Sequence, residues 1–146
     1  MAKFTYRMQN ILDIKIKMEN QAKLAYGIAN RRLSEEQEKL QQIFLQKASY
    51  EHRARELVSG TLKVQEIREC RNAIDVMKVR QRAQMMNVHA AERNAEQARA
   101  ELNRLMVERK TQEKLRERAF EEFKQELAYA EGKEIDELVS YTYHKN

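Results

Sequence analysis

Not one proline occurs in the 146 residues, and glycine occurs only at Gly27, Gly60 and Gly132. Proline breaks helices and punctuates loop-rich folds. A chain without it, and nearly without glycine, has few places to turn. That argues against a β-sandwich, a βαβ fold or any other fold of many short elements. Ala, Glu, Lys, Leu and Arg supply 76 of the residues, a composition typical of long helices and coiled coils. With 35% of residues charged, too little apolar surface remains for a multilayer core.

The apolar spacing supports this. Steps of four and three connect Phe4, Met8, Ile11, Lys15, Met18, Ala22, Ala25 and Ala29, a heptad seam with one polar interruption. A second four-residue step, from Ala29 to Leu33, predicts a stutter. The seam resumes through Glu36, Leu40, Ile43, Lys47, Tyr50, Ala54 and Leu57. Residues 3 to about 57 therefore read as one helix, roughly 80 Å long at 1.5 Å per residue. Ser34 and Gln37 have capping-box spacing, but the seam runs through them, so the helix is expected to continue.

The one convincing turn lies at about residues 58–62. There Gly60 can end a helix in the left-handed conformation and Thr61 can cap the next. A second helix, about 63–140, then runs through Ile67, Cys70, Ile74 and Met77, with another stutter from Gln81 to Met85. It continues through Val88, Ala91, Ala95, Ala98, Leu102 and Leu105. Gly132 weakens its far end by roughly 1 kcal/mol relative to Ala. The expected fold is all-α: a long antiparallel two-helix coiled-coil hairpin, with residues 1–146 as a single unit.

A turn centred near residue 61 puts Phe4 opposite the region of Arg118. Residues beyond about 120 should then overhang as a single helix, about 30–40 Å of it. Its stripe of Phe123, Leu127, Ala130 and Leu138 would lack an intramolecular partner and should be satisfied by another protein.

Charge and chemistry narrow the function classes. The net charge is +5 and uneven: residues 108–146 carry 8 basic and 10 acidic side chains, so the basic excess lies earlier. No apolar run approaches the roughly 20 residues a membrane span needs. The N-terminus has no secretory signal pattern. Cys70, alone, makes neither a disulfide nor a zinc site. No phosphate loop, nucleophile elbow or His-Glu-x-x-His occurs, and a two-helix rod offers no pocket. The reading is a non-enzyme without cofactor or metal, in a reducing cytoplasmic setting.

The opening Phe4-x-Tyr6-Arg7-x-x-x-Ile11-Leu12-Asp13, followed by Glu19-Asn20-Gln21-Ala22-Lys23, resembles the start of the FliJ family of flagellar type III export proteins. Gly60 between the helices is similar to that family's turn. Glu108-Arg109-Lys110-x-x-Glu113-Lys114-Leu115-Arg116-Glu117 resembles its C-terminal signature, and Glu131-Gly132-Lys133-Glu134-Ile135-Asp136-Glu137 its following acidic motif. Gly132 stands where the family usually has glutamine.

The resemblance implies a soluble stalk, similar to the central stalk of rotary ATP synthases. Its partners would be the flagellar export ATPase ring, the cytoplasmic domain of the export gate membrane protein, and export chaperones that escort substrates. It would sit in the cytoplasm, peripheral at the inner membrane export apparatus, and serve motility. Both chain ends would enter the ring, which assigns Phe123, Leu127, Ala130 and Leu138 to it. The gate-binding surface would comprise Ile43, Gln46, Tyr50, Val76 and Val79, with Gln46 and Asn72 polar where a family pattern has aromatics.

Two other readings remain. A basic helical nucleic-acid binder would use Arg31, Arg32, Lys78, Arg80 and Arg82 on phosphates, though no aromatic platform accompanies them. The analogous stalk of a virulence type III secretion system shares the architecture.

Overall fold

The computed structural model describes residues 2–61 and 63–145, with side chains described as far as Tyr143. Leu62, inside the expected turn, lies outside the described residues, as do the two ends of the expected unit, Met1 and Asn146. The chain forms two helices, α1 (Gln9–Ser59) and α2 (Val64–Lys145), with no strand among the described residues. They form an antiparallel hairpin. It comprises two compact units. One contains the turn and spans Ala22–Leu102; the other joins the chain up to Gln21 with α2 from Asn103 onward.

Both helices are continuous over their whole lengths. α1 passes through Ser34 without a break, and α2 passes through Gly132 and reaches Lys145. The stutters are absent too. In α1 the buried and half-buried residues include Leu12, Lys15, Glu19, Ala22, Tyr26, Ala29 and Leu33, and the same alternation of three and four runs on to Leu57. In α2 the alternation runs from Ile67 through Met77, Gln81, Gln84, Val88 and Ala91 to Leu105 and Arg109. This corrects the expected phase: Leu12 is 4% exposed while Ile11 is 39% exposed, and Gln84 is buried where Met85 is 39% exposed. The apparent stutters arose from following apolar residues past polar ones. Glu19 and Gln84 hold seam positions, and their apolar neighbours Met18 and Met85 mimic a phase change.

The ends of the helices also differ from expectation. α1 starts at Gln9, not near residue 3. Phe4 packs edge-on against Phe120 with ring centroids 5.0 Å apart, and Tyr6 donates its hydroxyl to Gln112 Oε1 at 3.2 Å. Residues two apart fall on opposite sides of a helix but on one side of an extended chain. Bringing both aromatics onto α2 therefore requires the non-helical segment that precedes Gln9.

At the turn, Gly60 does not adopt a positive φ. Ser59 instead donates its hydroxyl to the Glu56 carbonyl at 3.0 Å, satisfying one acceptor left open by the end of α1. Ile67 N–H bonds the Lys63 carbonyl at 3.0 Å, so Lys63 occupies the cap position of α2 and Thr61 does not.

Pairing runs slightly beyond simple register. Phe4 meets Phe120 and Phe123 rather than Arg118, and Gln9 meets Arg116. Phe4 lies in the non-helical segment before α1, where the chain advances farther per residue than in a helix, so it reaches farther along α2 than helical register allows.

Candidate helix-docking surfaces

Within the unit at the chain ends, polar groups bind the helices across the seam. Arg109 of α2 pairs with the buried carboxylate of Glu19 and places Nη1 2.8 Å from Glu113 Oε2. Lys15 Nζ lies 2.7 Å from Glu108 Oε2, while Arg104 Nη1 lies 2.7 Å from Glu108 Oε1. Hydrogen bonds from Lys15, and the Lys15 and Arg104 charges, hold the Glu108 carboxyl below the usual range despite its burial. Hydrogen bonds to Glu19 and Glu113 push the Arg109 guanidinium further up.

Phe4 closes this unit. It touches Phe123 at 5.5 Å as well as Phe120, and the Arg116 guanidinium lies 5.6 Å from its centroid. Phe123 is thus half-buried with an intramolecular partner, which corrects its expected place on a free overhang. Leu127 is half-buried, while Ala130 and Leu138 are exposed. Between Ala128 and Tyr143 every residue but Gly132 is exposed, including Tyr129, Ile135 and Val139.

In the unit at the turn, Gln84 donates Nε2 to Glu36 Oε2 at 2.5 Å and to the Glu36 carbonyl at 2.9 Å. The Gln84 hydrogen bond, then the Lys39 and Arg32 charges, lower the Glu36 pKa against the opposing effect of burial. Ile43 and Tyr50 are half-buried, as seam packing requires, whereas Gln46, Val76 and Val79 are exposed. Only part of that set is therefore open to solvent. Of the basic side chains considered for phosphate binding, Arg31, Arg32, Lys78, Arg80 and Arg82 are all exposed, and Arg32 Nη2 lies 3.0 Å from Glu36 Oε1.

Sequence reasoning missed Glu19, Gln84 and Arg109 as seam residues. The usable signal was spacing: Glu19 falls seven residues from both Leu12 and Tyr26, and Gln84 seven from both Met77 and Ala91. Cys70 is buried at a seam position, as a small apolar residue would be. No cluster of three potential metal ligands occurs among the described residues. No described helix is long and apolar enough to cross a membrane.

Continuous heptads, opposed helices and polar cross-links define an all-α two-helix coiled-coil hairpin protein. The chain belongs to the FliJ family: the family model for the flagellar FliJ protein matches residues 4–146. Its fold is similar to that of a putative YscO homolog, CT670, from Chlamydia trachomatis, with a TM-score of 0.72. The two are 23% identical, and the match covers 97% of this chain and 96% of the other. No curated protein matches the sequence.

Proposed function

We propose that this protein is a stalk and coupling component of the flagellar type III export apparatus, acting through helix packing without chemistry of its own. The FliJ family match across residues 4–146 carries this reading. The chain-end unit would enter the export ATPase ring, with Leu127, Ala130 and Leu138 on the contact and Phe123 supporting it through Phe4. The surface near the turn would meet the cytoplasmic domain of the export gate through Gln46, Val76 and Val79, backed by Ile43 and Tyr50. Export chaperones would dock on the same scaffold, at the cytoplasmic side of the membrane.

The exposed apolar residues of α2 beyond Phe123 support a contact in a ring, because an amphipathic helix end is otherwise left against water. The test is ATP hydrolysis by the cognate export ATPase, titrated with the full chain and with an Ala130→Glu, Leu138→Glu variant. Saturable stimulation, lost in the variant, is expected. Equal stimulation by both would remove the tail from the contact, and no stimulation by the intact helical protein would refute the ring role.

A further inference from the structure

α2 carries two apolar series on opposite faces. One faces α1 and includes Ile74, Met77, Val88 and Ala91, all buried or half-buried. The other comprises Val76, Val79, Ala83 and Met86, all exposed, with half-buried Ala90 at its end, again at alternating steps of three and four. At 3.6 residues per turn, Val79 projects about 200° around the helix from Met77. Val76, Val79 and Met86 are 48%, 60% and 72% exposed. A heptad series on the outer face of an already paired helix is the pattern that accepts a further helix.

The edges of this outer series are basic. Arg80, Arg82 and Arg93 flank it and outnumber Asp75 and Glu69. Among the described residues none of these three arginines forms an ion pair, unlike Arg32, Arg99, Arg104 and Arg109. The chain also contains a helix of complementary character. In the tail of α2, Ala128, Gly132, Ile135, Val139 and Thr142 repeat the same four-three alternation. Ile135 and Val139 are exposed, with Leu138 beside them. Glu131, Glu134, Asp136 and Glu137 surround this stripe with Lys133 as the one nearby base, and none of the four acids forms an ion pair among the described residues.

We propose that the protein self-associates through these two surfaces, the acidic tail of one copy lying along the basic outer series of a second. Apolar side chains at matching spacings interdigitate, and the arginines of one copy face the carboxylates of the other. Reciprocal docking closes a dimer, whereas one-sided docking builds a longer series. In either form, association covers Val76, Val79 and the tail, so a free copy would expose these surfaces only after dissociating.

The test needs this chain alone, so its outcome is independent of the ATPase and gate assignments. Sedimentation velocity of the full protein over a concentration series, at low and high salt, reads the association. A dimer or longer series that weakens as salt screens the charges is expected. Val79→Glu with Met86→Glu, and separately Ile135→Glu with Val139→Glu, should each weaken association by about tenfold or more while circular dichroism stays helical. Mixing the two variants should restore one docking contact per mixed pair, because each retains the half that the other lacks. Arg82→Glu with Arg93→Glu, which leaves the apolar residues untouched, should weaken it as well. A monomer at every concentration, or association indifferent to all three variants, would overturn the proposal.

Discussion

Gln84 of α2 and Glu36 of α1 are joined twice, through one amide nitrogen that reaches both the carboxylate and the main-chain carbonyl. Both residues are buried at seam positions. Gln84 supplies the inter-helix donor, and Arg32 and Lys39 approach the carboxylate from α1 itself. Gln84→Leu should therefore lower the urea midpoint, because it withdraws that donor from a buried acceptor. Combining it with Glu36→Leu should recover much of the loss, since apolar replacement of both partners removes the unmet group. A double-mutant cycle read by chemical denaturation checks this; equal and additive losses would show that the two residues are not coupled.

The phase of the seam is testable with neighbours. Leu12→Ala should cost about 2–4 kcal/mol, as for a buried leucine. Ile11→Ala, one residue away on a largely open face, should cost less than about 1 kcal/mol. Reversed magnitudes in thermal or urea unfolding would restore the phase that the apolar residues alone suggest.

Acid should weaken the hairpin partly through Glu36. Its folded pKa lies below the unfolded one, so its contribution is complete above the unfolded value and is lost as pH falls through the depressed folded value. The loss begins near the ordinary glutamate value of about 4.3 and is finished once both forms are protonated. Glu108, held down by Lys15 and Arg104, acts in the same direction. A Glu36→Gln variant should show a shallower decline in stability between neutral pH and pH 3 or so. An unchanged slope would assign the acid sensitivity to other carboxylates.

Gly60 gives a prediction opposite to the usual one for a turn glycine. Its φ is not positive, and a Cβ built there would lie 3.7 Å from the Glu56 carbonyl oxygen, an ordinary contact. Gly60→Ala should thus stabilise the protein by roughly 0.4–1 kcal/mol by restricting the unfolded chain. Thermal denaturation decides it; a lower melting temperature would mean that the turn needs glycine's wider freedom.

The hairpin could be read from the sequence because its main determinants are one-dimensional: no proline, one turn, and apolar residues recurring every three or four positions. Gly60 directly follows the end of α1 at Ser59, although its φ is not positive. The seam was harder to trace. A glutamate looks like surface in one dimension, whereas Arg109, some ninety residues away, meets Glu19 across the seam. The start of α1 was missed for a related reason. Phe4, Met8 and Ile11 have helical spacing, but Phe4 and Tyr6 both reach α2, which only an extended segment allows. As for the docking surfaces, Leu138 and Val79 were recognisable as apolar. That Phe123 already has a neighbour depended on the non-helical segment that carries Phe4 along α2.

Phe123 is the farthest point of α2 for which an aromatic contact from the opposing segment is seen, yet the helix continues to Lys145. A segment of some twenty residues exposed on nearly every face lies at the margin of what water allows a lone helix, where nucleation is costly and each added turn gains little. Its backbone amides should exchange with solvent far faster than those around Leu105, in a gradient that steepens past Leu127. The tail then behaves as a helix–coil equilibrium attached to a rigid template. Whatever grips it receives a segment already nucleated from one side, so the ordering still required on capture is propagation alone.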